Sequence, residues 1–313
     1  MKIVLDLTKL VAEGKLTPAQ AEELKGMAAR DTGLLGINIL MAFGVFAVGA
    51  GVVALLPAYA TAIALGLGLT AVGVTVSLAI GPQWALLGTA STIAGALTFA
   101  GGIVGFTGGR WTGFALTVAL FTALTVAIRS GLLSALSVLA LAGLLGSSTG
   151  YASAVYLLEV DEPTITIVVF GLLAWAAYLA VRRVPAGYER ICLSFSRVSL
   201  FMVNFGFWVG SLWGDHPGQS WDRAQTSIHI PDYVFAVLWA VALAGVGVWA
   251  VRANRRFVVN TVAAFGAIHF YTQWFERLGA EPLSVMAGGV LVVAVAAALW
   301  RYNAAPSRAQ VPA

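Results

Sequence analysis

The chain has 313 residues, of which 59% are hydrophobic and only 10% charged, with a net charge of +4 and a mean hydropathy of +0.88. Soluble domains carry about 25% charged and about 45–50% apolar residues, so a water-soluble globular fold is excluded. The single cysteine, Cys192, rules out an intrachain disulfide and the usual cysteine-based zinc sites, and no basic patch interleaved with aromatics points to nucleic acid.

The first thirty or so residues are polar and amphipathic, with no cleavable apolar segment near Met1. Two short helices are expected in residues 1–32. The first lies near 3–12 and stops at Gly14. Thr17-Pro18-Ala19-Gln20 announces the second: a Thr cap, Pro at the first helical position and Gln three residues after the cap. This small cytoplasmic helical hairpin is either a module that leans on the membrane surface, another subunit or a protein partner, or a plain cytoplasmic leader.

From residue 33 onward apolar runs of about 18–24 residues alternate with short charged joints, the length a helix needs to cross a bilayer. About ten spans are expected, over 33–56, 58–80, 84–106, 111–128, 132–151, 164–181, 191–213, 233–251, 257–275 and 283–300. The predicted fold class is therefore an all-α integral membrane protein: a polytopic bundle over 33–303, followed by a cytoplasmic tail over 304–313. All ten prolines fall outside these spans, and no carboxylate lies deep within one. Both facts weigh against an ion-coupled transporter built on broken helices and buried acids. A glycine stripe for close helix contact is expected at Gly206, Gly210 and Gly214, and Gly101, Gly105 and Gly109 mark either a second packing stripe or a frayed span end.

Charge sets the orientation. With the N-terminus in the cytoplasm, the inner side carries Lys2, Lys9, Lys15, Lys25, Arg30, Arg129, Arg182, Arg183, Arg190, Arg252, Arg255, Arg256, Arg301 and Arg308. The outer side has only Arg110, Arg223 and Arg277, beside eight carboxylates from Glu159 to Glu281. This satisfies the positive-inside rule, with both termini cytoplasmic. Trp84, Trp111, Trp213, Trp249, Trp274 and Trp300 fall at span ends, where indoles suit the headgroup level. Trp175, Trp208 and Trp239 lie deeper and are expected between helices.

Three segments carry a resemblance: 10–18 with Gln20-Ala21-Glu22 (Leu10-Val11-Ala12-Glu13-Gly14-Lys15-Leu16-Thr17-Pro18), Asn204-Phe205-Gly206-Phe207 with Gly210-Ser211-Leu212-Trp213, and the joint 271–284 from Tyr271-Thr272-Gln273-Trp274 to Pro282-Leu283-Ser284. Together the chain resembles a bacterial family of multi-pass membrane proteins, domain of unknown function 2157. The resemblance implies a plasma-membrane location and supplies no reaction, substrate or catalytic residue.

Polar residues within spans are costly and often functional. On the seventh span Arg197, Asn204 and Ser211 share one face, opposite Ser199, Gly206 and Gly210. On the ninth, His269, Gln273 and Glu276 share another. Arg197, Asn204, His269, Gln273 and Glu276 are the candidate ligand-binding residues. Arg197 is expected to snorkel to the inner interface or to bind a lipid phosphate rather than a substrate, and Asn204 to bond a neighbouring helix rather than a ligand. His216 and His229 join His269 on the outer side, but their spacing matches no metal motif, so no metal and no cofactor are assigned. No G-x-S-x-G, H-E-x-x-H or P-loop occurs, so no catalytic residue is assigned either. The preferred expectation is a non-enzymatic membrane protein with lipid and protein partners. The alternative is a small-solute permease with a polar pocket between spans seven and nine, and a third is an outer-face enzyme on the His/Asp cluster.

Overall fold

In a computed structural model the chain is described over residues 10–11, 13–80, 82–152, 155–217, 228–279 and 281–304. Among these residues there are ten long helices and one β-hairpin: α1 (Pro18–Leu55), α2 (Tyr59–Thr75), α3 (Ala85–Phe106), α4 (Trp111–Ile128), α5 (Gly131–Leu144), β1 (Ser147–Ala152), β2 (Val155–Val160), α6 (Pro163–Ala180), α7 (Glu189–Trp213), α8 (Asp232–Arg252), α9 (Arg256–Leu278) and α10 (Pro282–Ala304). Six of them, α2 with its π-helical last turn (Val76–Ile80), α3, α4, α6, α7 and α8, are long and apolar enough to cross a membrane. Shorter apolar stretches lie in α1 (Ile39–Leu55), α5 and α10 (Pro282–Ala298). The chain falls into two compact units. One contains α1–α4 and α5 as far as Leu141, with Pro185–Ile191; the other contains Ala142–Val184 and the chain from Cys192 onward.

Helix α1 begins as the sequence predicts. The Thr17 side chain accepts from Gln20 N (3.3 Å), the Gln20 side chain accepts from Thr17 N (3.0 Å), and Pro18 occupies the first turn. The helix then runs unbroken for 38 residues, straight through position 33, where the sequence reading separates a cytoplasmic segment from the first span. Nothing between Pro18 and Leu55 forces a stop, because the next proline is Pro57. The short helix expected over 3–12 lies mostly outside the described residues; Leu10 and Val11 are helical.

In the first unit α2 and α3 pack antiparallel at backbone distance. Gly66 and Gly73 on α2 face Phe99 and Thr92, while Gly88 and Gly95 on α3 face Ser77 and Thr70, and Gly102 faces Ala62 and Ile63. A Cβ at Gly66, Gly73, Gly88 or Gly95 would collide with the opposite helix. These glycines recur every seven residues, two full turns, so they stay on one face. Of Gly101, Gly105 and Gly109, Gly105 alone joins this contact, against the first residue of α2, and Gly109 stands past the helix end, the other alternative the sequence offers. Gly101 has nothing within 4 Å, Gly105 meets the Tyr59 ring, and Gly109 (φ +73°) lies beyond the end of α3. Gly101 precedes Gly102 by 100° of helical rotation, which turns it off the interface. Beside α2 and α3, Ala96, Phe121, Leu124, Leu133 and Ala140 from α3, α4 and α5 form a buried core.

The fifth expected span is corrected. Its helix ends at Leu144, not at residue 151, and is about 21 Å long. Gly146 adopts φ +88°, and Ser147-Ser148-Thr149, poor helix formers, start a strand. That strand pairs antiparallel with β2, Ser147 opposite Val160 and Ala152 opposite Val155.

In the second unit contacts fix which helix ends lie together. Thr164 at the start of α6 meets Asp215 just past α7, Asp215 bridges Ile230 just before α8, and Gln273 near the end of α9 meets Ser211. At the opposite ends Ser196 of α7 meets Ala174 of α6, and Arg255 at the α8–α9 turn lies over Tyr178 of α6. Helices α6–α9 therefore alternate in direction. The first set of ends carries Asp161, Glu162, Asp215, Asp232 and Glu276, with Arg277; the second carries Arg182, Arg183, Arg190, Arg197, Arg252, Arg255 and Arg256, with Glu189.

Candidate functional site

Helix α7 presents three working faces. Toward α6, Gly206 lies against the Ile167 side chain and the Pro163 carbonyl, and Ser196 Oγ donates to the Ala174 carbonyl at 2.8 Å. Toward α8, Gly210 leaves room for the Phe235 ring. Both glycines thus serve the close contacts that their spacing predicts, and Gly214 (φ +71°) instead turns the chain after α7. Toward α9, Trp208 Nε1 donates to Thr272 Oγ1 (3.1 Å), and Phe201 and Phe205 meet Phe265 edge-on at 5.5 and 5.9 Å.

Asn204 sits at the centre of this arrangement. Its Nδ2 donates to the Leu200 carbonyl at 2.8 Å and its Oδ1 accepts from Trp239 Nε1 of α8 at 3.0 Å. Trp239 is 1% exposed. Phe207 lies parallel to the indole, Phe265 is tilted against it, and His269 of α9 meets it edge-on with ring centroids 4.9 Å apart. His269 Nδ1 is buried without a hydrogen-bond partner. So Asn204 bonds a neighbouring helix as the sequence predicts, and His269 converges on the same indole. The adjoining cavity, about 70 Å³, is lined mainly by apolar side chains.

The other candidates lie elsewhere. Gln273 Nε2 reaches the Ser211 carbonyl at 3.4 Å, and Glu276 is exposed at the end of α9. Arg197 lies with its guanidinium 4.6 Å from the Phe257 ring centroid and borders a different cavity, about 260 Å³, with Arg255 and Arg256. Of the deep tryptophans, Trp239 is buried and Trp208 hydrogen-bonded, but Trp175 is 64% exposed on the outer surface of α6, not between helices.

At the acidic ends, Asp215 Oδ2 accepts from Thr164 N at 2.8 Å, so a carboxylate from beyond α7 caps the start of α6. The His216 and His229 rings are tilted 30° to one another, 4.4 Å between centroids, beside that bridge. Among the described residues no three His, Cys, Asp or Glu side chains gather closely enough to hold a metal ion.

Sequence reasoning missed Asp215 as a cap and Arg255 and Arg256 as pocket residues. The signal for the second was present: Asn254, able to take a left-handed turn, precedes two arginines between two apolar runs. Comparison with family models, with characterised proteins and with solved structures finds no match to this chain.

Proposed function

We propose that the protein is a multi-pass protein of the bacterial inner membrane, crossing about ten times with both termini cytoplasmic, and that it works by binding lipid and protein partners rather than by catalysis. The observation that carries this reading is the sorting of charge in the second unit. Contacts put the starts of α6 and α8 with the ends of α7 and α9, acidic residues collect there, and arginines collect at the other ends. Antiparallel apolar helices with one basic and one acidic rim are what the positive-inside rule expects of consecutive spans.

The polar side chains of α7–α9 support binding between helices more than a transport path. Trp208, Trp239 and Gln273 each donate to a neighbouring helix, Asn204 accepts from Trp239 and donates to Leu200 of its own helix, and Arg197 borders a separate cavity. A permease pocket would bring Arg197, Asn204, His269 and Gln273 to one chamber. Helix α1, about 57 Å long, extends some 31 Å before its apolar stretch at Ile39. That polar half is the interaction module proposed for residues 1–32, now read as one continuous helix reaching from the membrane.

Reporter fusions test the reading. Alkaline phosphatase joined after Gly214 is expected to be active, and joined after Arg183 or at the C-terminus inactive. Activity of the C-terminal fusion, or extraction of the protein from membranes without detergent, overturns it.

A further inference from the structure

We propose that the arginine-lined pocket of the second unit binds the phosphate of an anionic phospholipid headgroup. The cavity of about 260 Å³ lies between the last turns of α6, the first turns of α7 and the α8–α9 turn. Arg197, Arg255 and Arg256 border it, and no carboxylate is among its described lining residues.

The local fold builds this concentration of charge. Helix α8 ends in a Schellman turn: Arg255 N donates to the Ala250 carbonyl (2.8 Å), Asn254 N donates to the Val251 carbonyl (3.2 Å), and Asn254 takes φ +51°. The chain reverses within three residues, so Arg255 and Arg256 arrive at the mouth of the pocket. Two aromatic rings then orient the guanidinium groups. Arg197 lies over Phe257 at 4.6 Å and Arg255 over Tyr178 at 5.8 Å. A ring takes the face of a guanidinium and leaves its in-plane N–H edge to meet oxygen, the geometry that suits a phosphate.

Helix α9 adds to the field. No side chain caps its start, and its regular bonding begins at Val259 N, which donates to the Arg255 carbonyl. Its first turn opens on the cavity with the positive end of the helix dipole. The apolar wall indicates a lipid rather than a free ion. Leu193, Leu200 and Phe257 line the same space, so a phosphate held by the arginines leaves its glycerol and chains against hydrocarbon side chains. Basic pockets between spanning helices are suited to anionic headgroups.

This inference rests on the reading that these helices cross a bilayer, but a binding measurement in detergent has no sidedness. Error in orientation therefore appears in the reporter fusions, and error about the pocket appears in the titration. The full-length protein, delipidated in non-ionic detergent, is titrated with phosphatidylglycerol, phosphatidylcholine and inorganic phosphate, and bound species are counted by native mass spectrometry. Phosphatidylglycerol is expected to bind at least about tenfold more tightly than phosphatidylcholine, and Arg197→Gln and Arg255→Gln are each expected to lose about tenfold, the scale of one charge-assisted hydrogen bond. Arg183→Gln, outside the pocket, is expected to bind as the unaltered protein does. If Arg197→Gln does not fold, Arg255→Gln alone carries the comparison. Equal binding of the two lipids, or unchanged binding by the folded pocket variants, overturns the proposal. Inorganic phosphate binding as tightly as the lipid overturns the lipid assignment in favour of a soluble anion.

Discussion

The indole nitrogen of Trp239 donates to the side-chain oxygen of Asn204 at 3.0 Å, joining α8 to α7 inside an apolar cluster. Asn204 uses its own amide on the Leu200 carbonyl, so neither of its polar ends is left without a partner. In hydrocarbon such a bond is worth about 1 kcal/mol, because the unfolded helices find other partners too. A double-mutant cycle with Asn204→Leu and Trp239→Phe is expected to return a coupling of about that size. The readout is thermal or denaturant unfolding in detergent. A coupling near zero would mean that aromatic packing alone holds α7 to α8.

His269 meets the same indole from α9, with a buried Nδ1 that has no partner. An unpaired buried polar atom costs about 1–3 kcal/mol, and an apolar ring of similar shape removes that cost. His269→Phe is therefore expected to unfold at the same temperature as the unaltered protein or above it. A melting temperature lowered by many degrees would assign the imidazole a structural bond.

The α2–α3 contact predicts a sharp contrast between neighbouring glycines. A Cβ at Gly95 would strike Thr70 backbone, whereas one at Gly101 meets nothing within 4 Å. Gly95→Ala is expected to cost about 1–3 kcal/mol through forced separation of the helices. Gly101→Ala is expected to be neutral or slightly stabilising, since alanine is the better helix former. Comparison of the two melting temperatures in one detergent checks the pair.

These glycines also show how far the sequence was legible. Gly206 and Gly210 could be read because a four-residue spacing is a familiar sign of close helix contact, and both do pack that way. The seven-residue spacing of Gly66 with Gly73, and of Gly88, Gly95 and Gly102, was hidden among the other glycines, since only a partner helix reveals which face is used. The hairpin at Ser147–Val160 escapes a reading by span length: Ser147-Ser148-Thr149-Gly150 marks the end of α5, but counting residues to a full span carries the helix past it, and the short run Val155–Val160 does not by itself distinguish helix from strand. Trp175 was placed between helices by depth alone, but depth along a helix says nothing about rotation around it. Arg197 and Asn204 were legible because a polar residue among apolar neighbours stands out; the Arg255 and Arg256 contribution needed the turn that brings them back.

Asp215 reaches across from the end of α7 to cap α6. Its Oδ2 accepts from Thr164 N, one of the first-turn donors that have no intrahelical acceptor. Asp215→Ala is expected to destabilise by about 0.5–2 kcal/mol, and Asp215→Asn, which keeps an acceptor at the same place, by less. Denaturant unfolding of the three proteins checks the order. Equal losses would mean that the charge itself, not the hydrogen bond, steadies the start of α6.

The Schellman turn at Asn254 ties stability to the arginine pocket. Asn254 holds φ +51°, a conformation open to Gly and Asn but strained for a β-branched residue. Asn254→Gly is expected to leave stability within a few tenths of a kcal/mol and the pocket intact. Asn254→Val is expected to cost about 1–2 kcal/mol and to shift Arg255, whose backbone N–H closes the turn on Ala250. The same lipid titration then separates the two effects. Asn254→Gly should bind phosphatidylglycerol as the unaltered protein does, and Asn254→Val should bind it more weakly at a temperature where both remain folded. If both variants bind alike, the turn serves only to end α8, and Arg255 reaches the pocket without it.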